Sequence, residues 1–161
     1  MKTRKIKHSP ISKAALASER GAQLLELALA LPILLAMLMG VIDLGRLGYV
    51  YIETANAARA GVAYGAQNHV TASDTAGITT AALNDVSANV TGMTVTPTHF
   101  CKCANGTTSA GCTISICTGT NNPLNEYVQV NTQATYTAWF PFPGLPNTVT
   151  VNGQAIMRTG Q

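Results

Sequence analysis

The four cysteines are the residues whose type and spacing point most directly to chemistry: Cys101, Cys103, Cys112 and Cys117. An even number of closely spaced cysteines is typical of disulfides in an oxidising compartment. The two cysteines of a C-x-C sequence pair poorly with each other. Two pairings therefore stay open: Cys101–Cys117 with Cys103–Cys112, or Cys101–Cys112 with Cys103–Cys117. The spacing is not a standard thiolate metal site. We therefore expect a disulfide loop at 101–117 rather than a zinc or iron–sulfur centre.

The other chemically active side chains form no catalytic motif. The histidines are His8, His69 and His99, and none lies in a metal-ligand or nucleophile pattern. The sequence has no glycine-rich phosphate loop, no G-x-S-x-G and no paired-carboxylate constellation. We expect His69 and His99 to be surface residues. The sequence thus predicts a protein that is not an enzyme and that uses no metal or cofactor.

One carboxylate, Glu26, stands alone in an apolar run. It is the only charged residue between Leu24 and Ile42. At about 1.5 Å per residue, a helix of this length covers nearly the ~30 Å hydrocarbon core of a bilayer. A carboxylate there is costly unless it is paired or near the interface. Cleavage after Gly21 would give Ala22 a new α-amino group about one helical turn from Glu26. In an assembly, the carboxylate of one subunit would then meet the ammonium of its neighbour.

The charge distribution sets the orientation of this segment. Most of the Lys and Arg residues precede Gly21, and the chain after Gly21 is mildly acidic. That balance argues against nucleic acid as a partner, because phosphate binding needs clustered basic residues. Basic residues that flank a membrane span stay cytoplasmic, so we expect the N-terminus inside and the C-terminal part outside, in the periplasm. The run is long for a cleaved secretory signal, but an uncleaved signal anchor remains an alternative.

The segment Arg20-Gly21 followed by Ala22 to Glu26 resembles the processing site of type IV prepilins. More widely, the chain resembles the TadE-like pseudopilins of tight-adherence pilus systems, through Leu31-Pro32, Ile42-Asp43-Leu44-Gly45-Arg46, Ala57-Ala58-Arg59-Ala60-Gly61 and Ala155-Ile156-Met157-Arg158. The similarity covers most of Gly21 to Gln67, is loose in the C-terminal strands and hardly reaches the cysteines. The family usually has an aromatic residue where this chain has Leu27. The resemblance implies a prepilin peptidase and other pilins as partners, and a pilin-like fold.

The long N-terminal helix is expected to cover 22–67, with a kink or loosening at Pro32. Apolar residues recur at helical spacing beyond the membrane, at Leu44, Leu47, Tyr51, Ala55, Ala58 and Val62. Ala57, Gly61 and Gly65 have the small-xxx-small spacing that allows close helix packing. They face either the chain's own C-terminal domain or neighbouring subunits, and we expect the upper half of the helix docked and the lower half free. Asp43 and Arg46 are expected to pair, whereas Glu53 and Arg59 are not.

The C-terminal part, 68–161, is expected to be a periplasmic α+β domain. A helix capped by Ser73-Asp74 is expected to run to about Asn89. The predicted strands are Val90 to Thr96 (ended by Pro97), Cys112 to Cys117, Tyr127 to Phe140, and a hairpin of Thr148 to Val151 and Gln154 to Met157 that turns at Asn152-Gly153. An aromatic cluster is expected at Trp139, Phe140 and Phe142. The predicted fold class is α+β: a basic leader (1–21), then a long transmembrane helix extended into a pilin-like domain with a small antiparallel sheet.

These features together predict a membrane-anchored minor pilin or pseudopilin of a tight-adherence pilus, processed after Gly21. It would be a single-pass protein of the bacterial inner membrane, in contact with the lipid bilayer and incorporated with other pilins. The alternative is an uncleaved, signal-anchored periplasmic module whose disulfide loop binds a ligand or surface.

Overall fold

A computed structural model describes residues 13–88, 90, 92–109, 112, 117, 123–141 and 144–160. It divides into two compact units, one ending at Ile42 and one beginning at Asp43. The described helices are α1 (Lys13–Gly65), α2 (His69–Ser73) and α3 (Thr75–Asn84), and the described strands are β1 (Thr94–Cys103), β2 (Thr108–Ser109), β3 (Leu124–Thr137) and β4 (Thr148–Arg158). The α+β fold class predicted from the sequence is confirmed.

Helix α1 begins earlier than expected. It starts at Lys13, so residues 13–20 of the basic leader are helical rather than irregular. The first positions, Lys13-Ala14-Ala15-Leu16-Ala17, are all strong helix formers, which explains the early start. The helix continues through Pro32 and ends at Gly65, two residues before the predicted boundary.

The sheet is antiparallel and its strands follow the order β2-β1-β3-β4. The central strand β3 buries every second side chain, as its alternating sequence predicts, with Val128, Val130, Thr132, Ala134 and Tyr136 on the inner face. The observed limits of this strand differ from the predicted limits, Tyr127 and Phe140, by three residues at each end. It begins at Leu124 and ends at Thr137, so Ala138 and Phe140 lie beyond it.

Strand β1 continues through Pro97, where we expected a strand to end. Pro97 lies opposite Val130 in the β1–β3 ladder. Strand β2 pairs with β1 only at Cys101 and Lys102, so among the described strands β1 has no partner on its other side at Pro97. A proline, which lacks the N–H donor, is compatible with such an edge position.

The predicted hairpin at Asn152-Gly153 is wrong, because both residues lie within the continuous strand β4. Gly153 pairs with Thr132 of β3. A Cβ atom at Gly153 would lie 2.5 Å from the carbonyl oxygen of Thr54 on α1. The glycine therefore permits a close approach of the sheet to the helix, rather than a turn.

The helix after α1 is shorter than predicted. Asp74 caps it as expected, but α3 ends at Asn84 instead of about Asn89. A five-residue helix, α2, precedes it and was not expected. The core of the second unit joins α1, α2, α3 and β3 through Ala58, Val62, Ala72, Ile78, Val128 and Val130. The expected strand from Cys112 to Cys117, apart from these two cysteines, and Phe142 lie outside the described residues.

Candidate functional site

The part of α1 from Leu24 to Ile42 presents a largely apolar surface. The large hydrophobic side chains from Leu24 to Ile42 are exposed, with 67 % exposure at Leu24 and 44 % at Ile42. Glu26 lies among them and is also exposed. Apart from the backbone of its own helix, a Cβ atom at Gly21 would meet no described residue within 4 Å. Within the described part of the chain, one helix, over Gly21–Gly65, is long and apolar enough to cross a membrane.

Directly after this apolar segment, a carboxylate binds the C-terminal part of the chain. Asp43 is only 7 % exposed. Its Oδ1 accepts a hydrogen bond from the Tyr136 hydroxyl at 3.0 Å and one from the Trp139 backbone N–H at 3.3 Å. Its Oδ2 accepts from the Phe140 backbone N–H at 3.1 Å. A buried charge needs such partners to offset its desolvation, and we call Asp43, Tyr136, Trp139 and Phe140 the Asp43 anchor.

Arg46 completes this anchor from the next turn of α1. Its Nη1 lies 3.5 Å from Asp43 Oδ1, so the contact predicted for these two residues is present. The guanidinium also lies 3.6 Å from the centre of the Trp139 ring, within the range of a cation–π interaction. Trp139 remains 65 % exposed, so its ring is not buried in the core.

The small residues of α1 face the chain's own domain. Ala57 is fully buried. A Cβ atom at Gly61 would lie 3.1 Å from Ala82 of α3, and one at Gly65 would lie 2.9 Å from Val128 of β3. The sequence allowed two interpretations of this stripe: packing against the chain's own domain or against neighbouring subunits. In the structure, the three small residues pack within the chain.

The predicted apolar face of the second half of α1 was partly wrong. Leu44 and Tyr51 are 68 % and 60 % exposed. The buried positions in this part of the helix include two polar residues, Asp43 and Thr54. Thr54 donates to the Val50 carbonyl, and its own carbonyl accepts from the Thr132 hydroxyl at 2.7 Å. Hydrophobic periodicity does not predict the burial of Asp43 and Thr54, because these residues are polar and are buried through hydrogen bonds.

Glu53 binds the backbone of the segment that follows α3. Its Oε2 accepts from the Ser87 backbone N–H at 3.0 Å. Tyr49, one turn earlier on α1, donates its hydroxyl to the Ser87 side chain at 2.7 Å. Arg59 instead donates to Asn56 at 3.2 Å. Glu53 and Arg59 thus have separate partners.

The cysteines form two disulfides, Cys101–Cys112 and Cys103–Cys117. This is the second of the two pairings that the sequence left open. Cys101 and Cys112 line a cavity of about 630 Å³ together with His69 and Glu126. His99 is not the surface residue that we expected, since its side chain is 20 % exposed and contacts Glu126.

Sequence reasoning missed two clusters: the attachment of Asp43 to Tyr136, and the meeting of His69 and His99 at Glu126. The alternation of β3 places Tyr136 on the buried face. A buried tyrosine hydroxyl usually has a hydrogen-bond partner. The pattern of β3 could therefore have predicted an acceptor near Tyr136. The histidine cluster left no such signal, because its members come from α2, β1 and β3.

An exposed apolar helical segment, followed by a small disulfide-bonded α+β unit that includes the end of the same helix, is the α+β arrangement that the sequence predicted. The family model described as TadE-like protein matches residues 21–63. The match begins at Gly21 and covers Glu26, the apolar run and the first residue of the Asp43 anchor. This segment is therefore TadE-like, as its motifs indicated, and that family is associated with tight-adherence pili. Searches of curated proteins and of solved structures gave no significant match.

Proposed function

We propose that the chain is a minor pilin or pseudopilin that is anchored in the membrane and acts in the assembly of a tight-adherence pilus. The observation that carries the proposal is the position of Gly21 and Glu26 at the head of an exposed apolar helix. The TadE-like match over the same residues supports it. The role is structural rather than catalytic, because it depends on packing between helices.

The first step is hydrolysis of the Gly21–Ala22 peptide bond by a prepilin peptidase. Water is consumed, Gly21 keeps a carboxylate on the released leader, and Ala22 gains an α-amino group. Glu26 follows Ala22 by four residues, which is about one turn of α1. The new ammonium of one copy can then pair with the Glu26 carboxylate of a neighbour. Such a pair compensates a charge that lipid would otherwise leave unsolvated.

The second step is packing of the apolar half of α1 against lipid and other pilins. The second half of the helix is already covered by α3 and β3 at Gly61 and Gly65. Contacts with neighbours therefore fall on the segment from Leu24 to Ile42, where the large side chains are exposed. The basic leader keeps the N-terminus cytoplasmic, and the disulfide-containing unit then lies in the periplasm.

Variants at Glu26 test this assembly role. We expect Glu26→Ala to insert into the membrane normally, because it makes the helix more apolar. Its yield in filaments sheared from cells should fall by about tenfold or more, the factor that corresponds to about 1.4 kcal/mol of lost pairing. Gln23→Ala, which changes a neighbouring polar residue, is the matched control and should assemble like the wild type.

Two outcomes would contradict the proposal. Wild-type amounts of Glu26→Ala in sheared filaments would remove the pairing role. The second outcome is a wild-type chain that stays in the membrane fraction and never appears in sheared filaments, although the cells make normal pili that do not contain it. This outcome would favour the uncleaved periplasmic binding module.

A further inference from the structure

Two histidines and one glutamate from three separate elements meet at a single carboxylate oxygen. His69 Nδ1 lies 2.7 Å from Glu126 Oε1. His99 Nε2 contacts the same oxygen. His69 opens α2, while His99 and Glu126 lie on neighbouring strands β1 and β3. Two imidazole nitrogens and a carboxylate oxygen form a common ligand set for zinc.

The strand register explains why two of the three side chains face the same way. Cys101 of β1 lies opposite Glu126 of β3, and His99 is two residues before Cys101. Side chains two residues apart share one face of a strand, so His99 and Glu126 are diagonal neighbours on that face. His69 approaches from α2, and its ring lies 6.3 Å from the ring of His99.

Glu126 is held by hydrogen bonds in an orientation that suits a ligand. Thr159 donates its hydroxyl to Glu126 Oε2 at 3.1 Å, which leaves Oε1 facing the histidines. A polar group that orients a ligating carboxylate in this way is a usual companion of protein metal sites.

We propose that His69, His99 and Glu126 bind one Zn²⁺ ion. Zinc at about 2.0–2.2 Å from each ligand separates tetrahedral ligand atoms by about 3.4 Å, so both nitrogens must move away from Glu126 Oε1 to admit the ion. His69 can make this movement because its side chain is 75 % exposed. The adjoining cavity of about 630 Å³ leaves room for a water molecule as the fourth ligand. This site is independent of the pilus role and does not rest on it.

The neighbouring disulfide defines a rival metal site that can be tested separately. Cys112 Sγ lies 3.4 Å from His99 Nε2. If the Cys101–Cys112 disulfide were reduced, its two thiols together with His99 and Glu126 would offer four ligand atoms within 4.8 Å of one another. Our site uses His69 in place of the two thiols. It therefore needs no reduction and operates in the oxidised chain.

The experiment uses the full-length protein in detergent, purified without a histidine tag, stripped with a chelator and shown to have no free thiols. Equilibrium dialysis against Zn²⁺, with elemental analysis by mass spectrometry, should find one zinc per chain. His69→Gln should weaken binding by at least about tenfold, a loss in the range that metal sites show. Because the side chain of His69 is mostly exposed, this variant should fold normally. His99→Gln and Glu126→Gln should weaken binding at least as much.

Asp85→Asn is the matched control, since it removes an exposed carboxylate elsewhere on the second unit and should bind zinc like the wild type. Three results would overturn the proposal. One is the absence of stoichiometric zinc in the oxidised protein. Another is wild-type binding by His69→Gln. The third is zinc that binds only after reduction, which would assign the metal to the cysteine-containing site.

Discussion

The Tyr136 hydroxyl donates to two oxygens of Asp43, the backbone carbonyl oxygen and the carboxylate Oδ1, each at 3.0 Å. The two residues are 93 positions apart in the sequence. Asp43 directly follows the apolar segment that ends at Ile42. The hydrogen bonds thus attach the far end of β3 to α1 at the point where the helix leaves its apolar half. Within the described part of the chain, no buried side-chain polar atom lacks a partner.

Removing this hydroxyl should loosen the attachment. Tyr136→Phe deletes a buried donor to a carboxylate and keeps the ring, so we expect a loss of about 1.5–3 kcal/mol in the free energy of unfolding of the second unit. Urea unfolding of the full chain in detergent, followed by Trp139 fluorescence, measures it. Tyr127→Phe is the control, because Tyr127 stacks on Phe100 through its ring, which the variant retains. Equal stability of Tyr136→Phe and the wild type would show that the hydrogen bonds contribute nothing net.

Trp139 should report the depth of the anchor in a membrane. Its backbone N–H binds Asp43, next to the end of the apolar segment, and its ring is 65 % exposed. Tryptophan favours the boundary between lipid and water. In vesicles, we expect its fluorescence to be quenched most strongly by lipids with a quencher near the headgroup. The signal is unambiguous because the chain has one tryptophan. Quenching only by water-soluble reagents would place the anchor away from the bilayer.

The sequence predicted the parts of the fold that depend on local periodicity. The apolar run of α1, the cap at Asp74 and the alternation of β3 were all recognisable, because each is a pattern within one element. The errors at Pro97 and Gly153 arose because both residues are usual turn or end signals. At Pro97 the edge position of β1 among the described strands decides the structure, and at Gly153 the approach of Thr54 does. Neither can be read from adjacent residues.

The candidate sites divide in the same way. Gly21 and Glu26 are close in sequence, so their relation was visible as a motif, and it remains a prediction. The zinc cluster was not visible, because His69, His99 and Glu126 come together only when α2 packs over the ladder between β1 and β3. The disulfide pairing needed the structure because the C-x-C spacing permits two solutions.

Gly153→Ala should destabilise the packing of β4 on α1. The new methyl group would meet the Thr54 carbonyl oxygen at 2.5 Å and the Thr132 hydroxyl at 2.6 Å. Overpacking of this kind costs about 1–3 kcal/mol or more in the free energy of unfolding. Gly48→Ala is the control: nothing lies within 4 Å of its Cβ position, and alanine in a helix should stabilise the chain by about 0.5–1 kcal/mol. A Gly153→Ala variant as stable as the wild type would contradict a tight packing of β4 against Thr54.

The cap of α3 should give the chain a pH-dependent stability at acid pH. Hydrogen bonds from the Gly77 N–H and the Tyr64 hydroxyl lower the pKa of Asp74 below its usual 3.8. The unfolded chain therefore binds a proton more readily than the folded chain. The stabilisation is fully present above the unfolded value and is lost as the pH falls through the folded value. Asp74→Asn keeps a capping oxygen but cannot ionise.

Urea unfolding of the wild type and of Asp74→Asn, between about pH 6 and about pH 2.5, measures this contribution. We expect the wild type to be the more stable protein at the upper end, and the difference to shrink as the pH falls below the usual value. A difference that stays constant over the whole range would show that the ionised carboxylate adds nothing to the cap.

The pilus role rests on the creation of a new amino terminus beside Glu26, and the intact mass of the chain extracted from membranes tests it most directly. Mass spectrometry with N-terminal sequencing should find a mature protein that begins at Ala22 and has lost residues 1–21. In cells without prepilin peptidase, the same protein should retain them. A chain that still begins at Met1 in cells with an active peptidase would contradict the processing step and the pairing that depends on it.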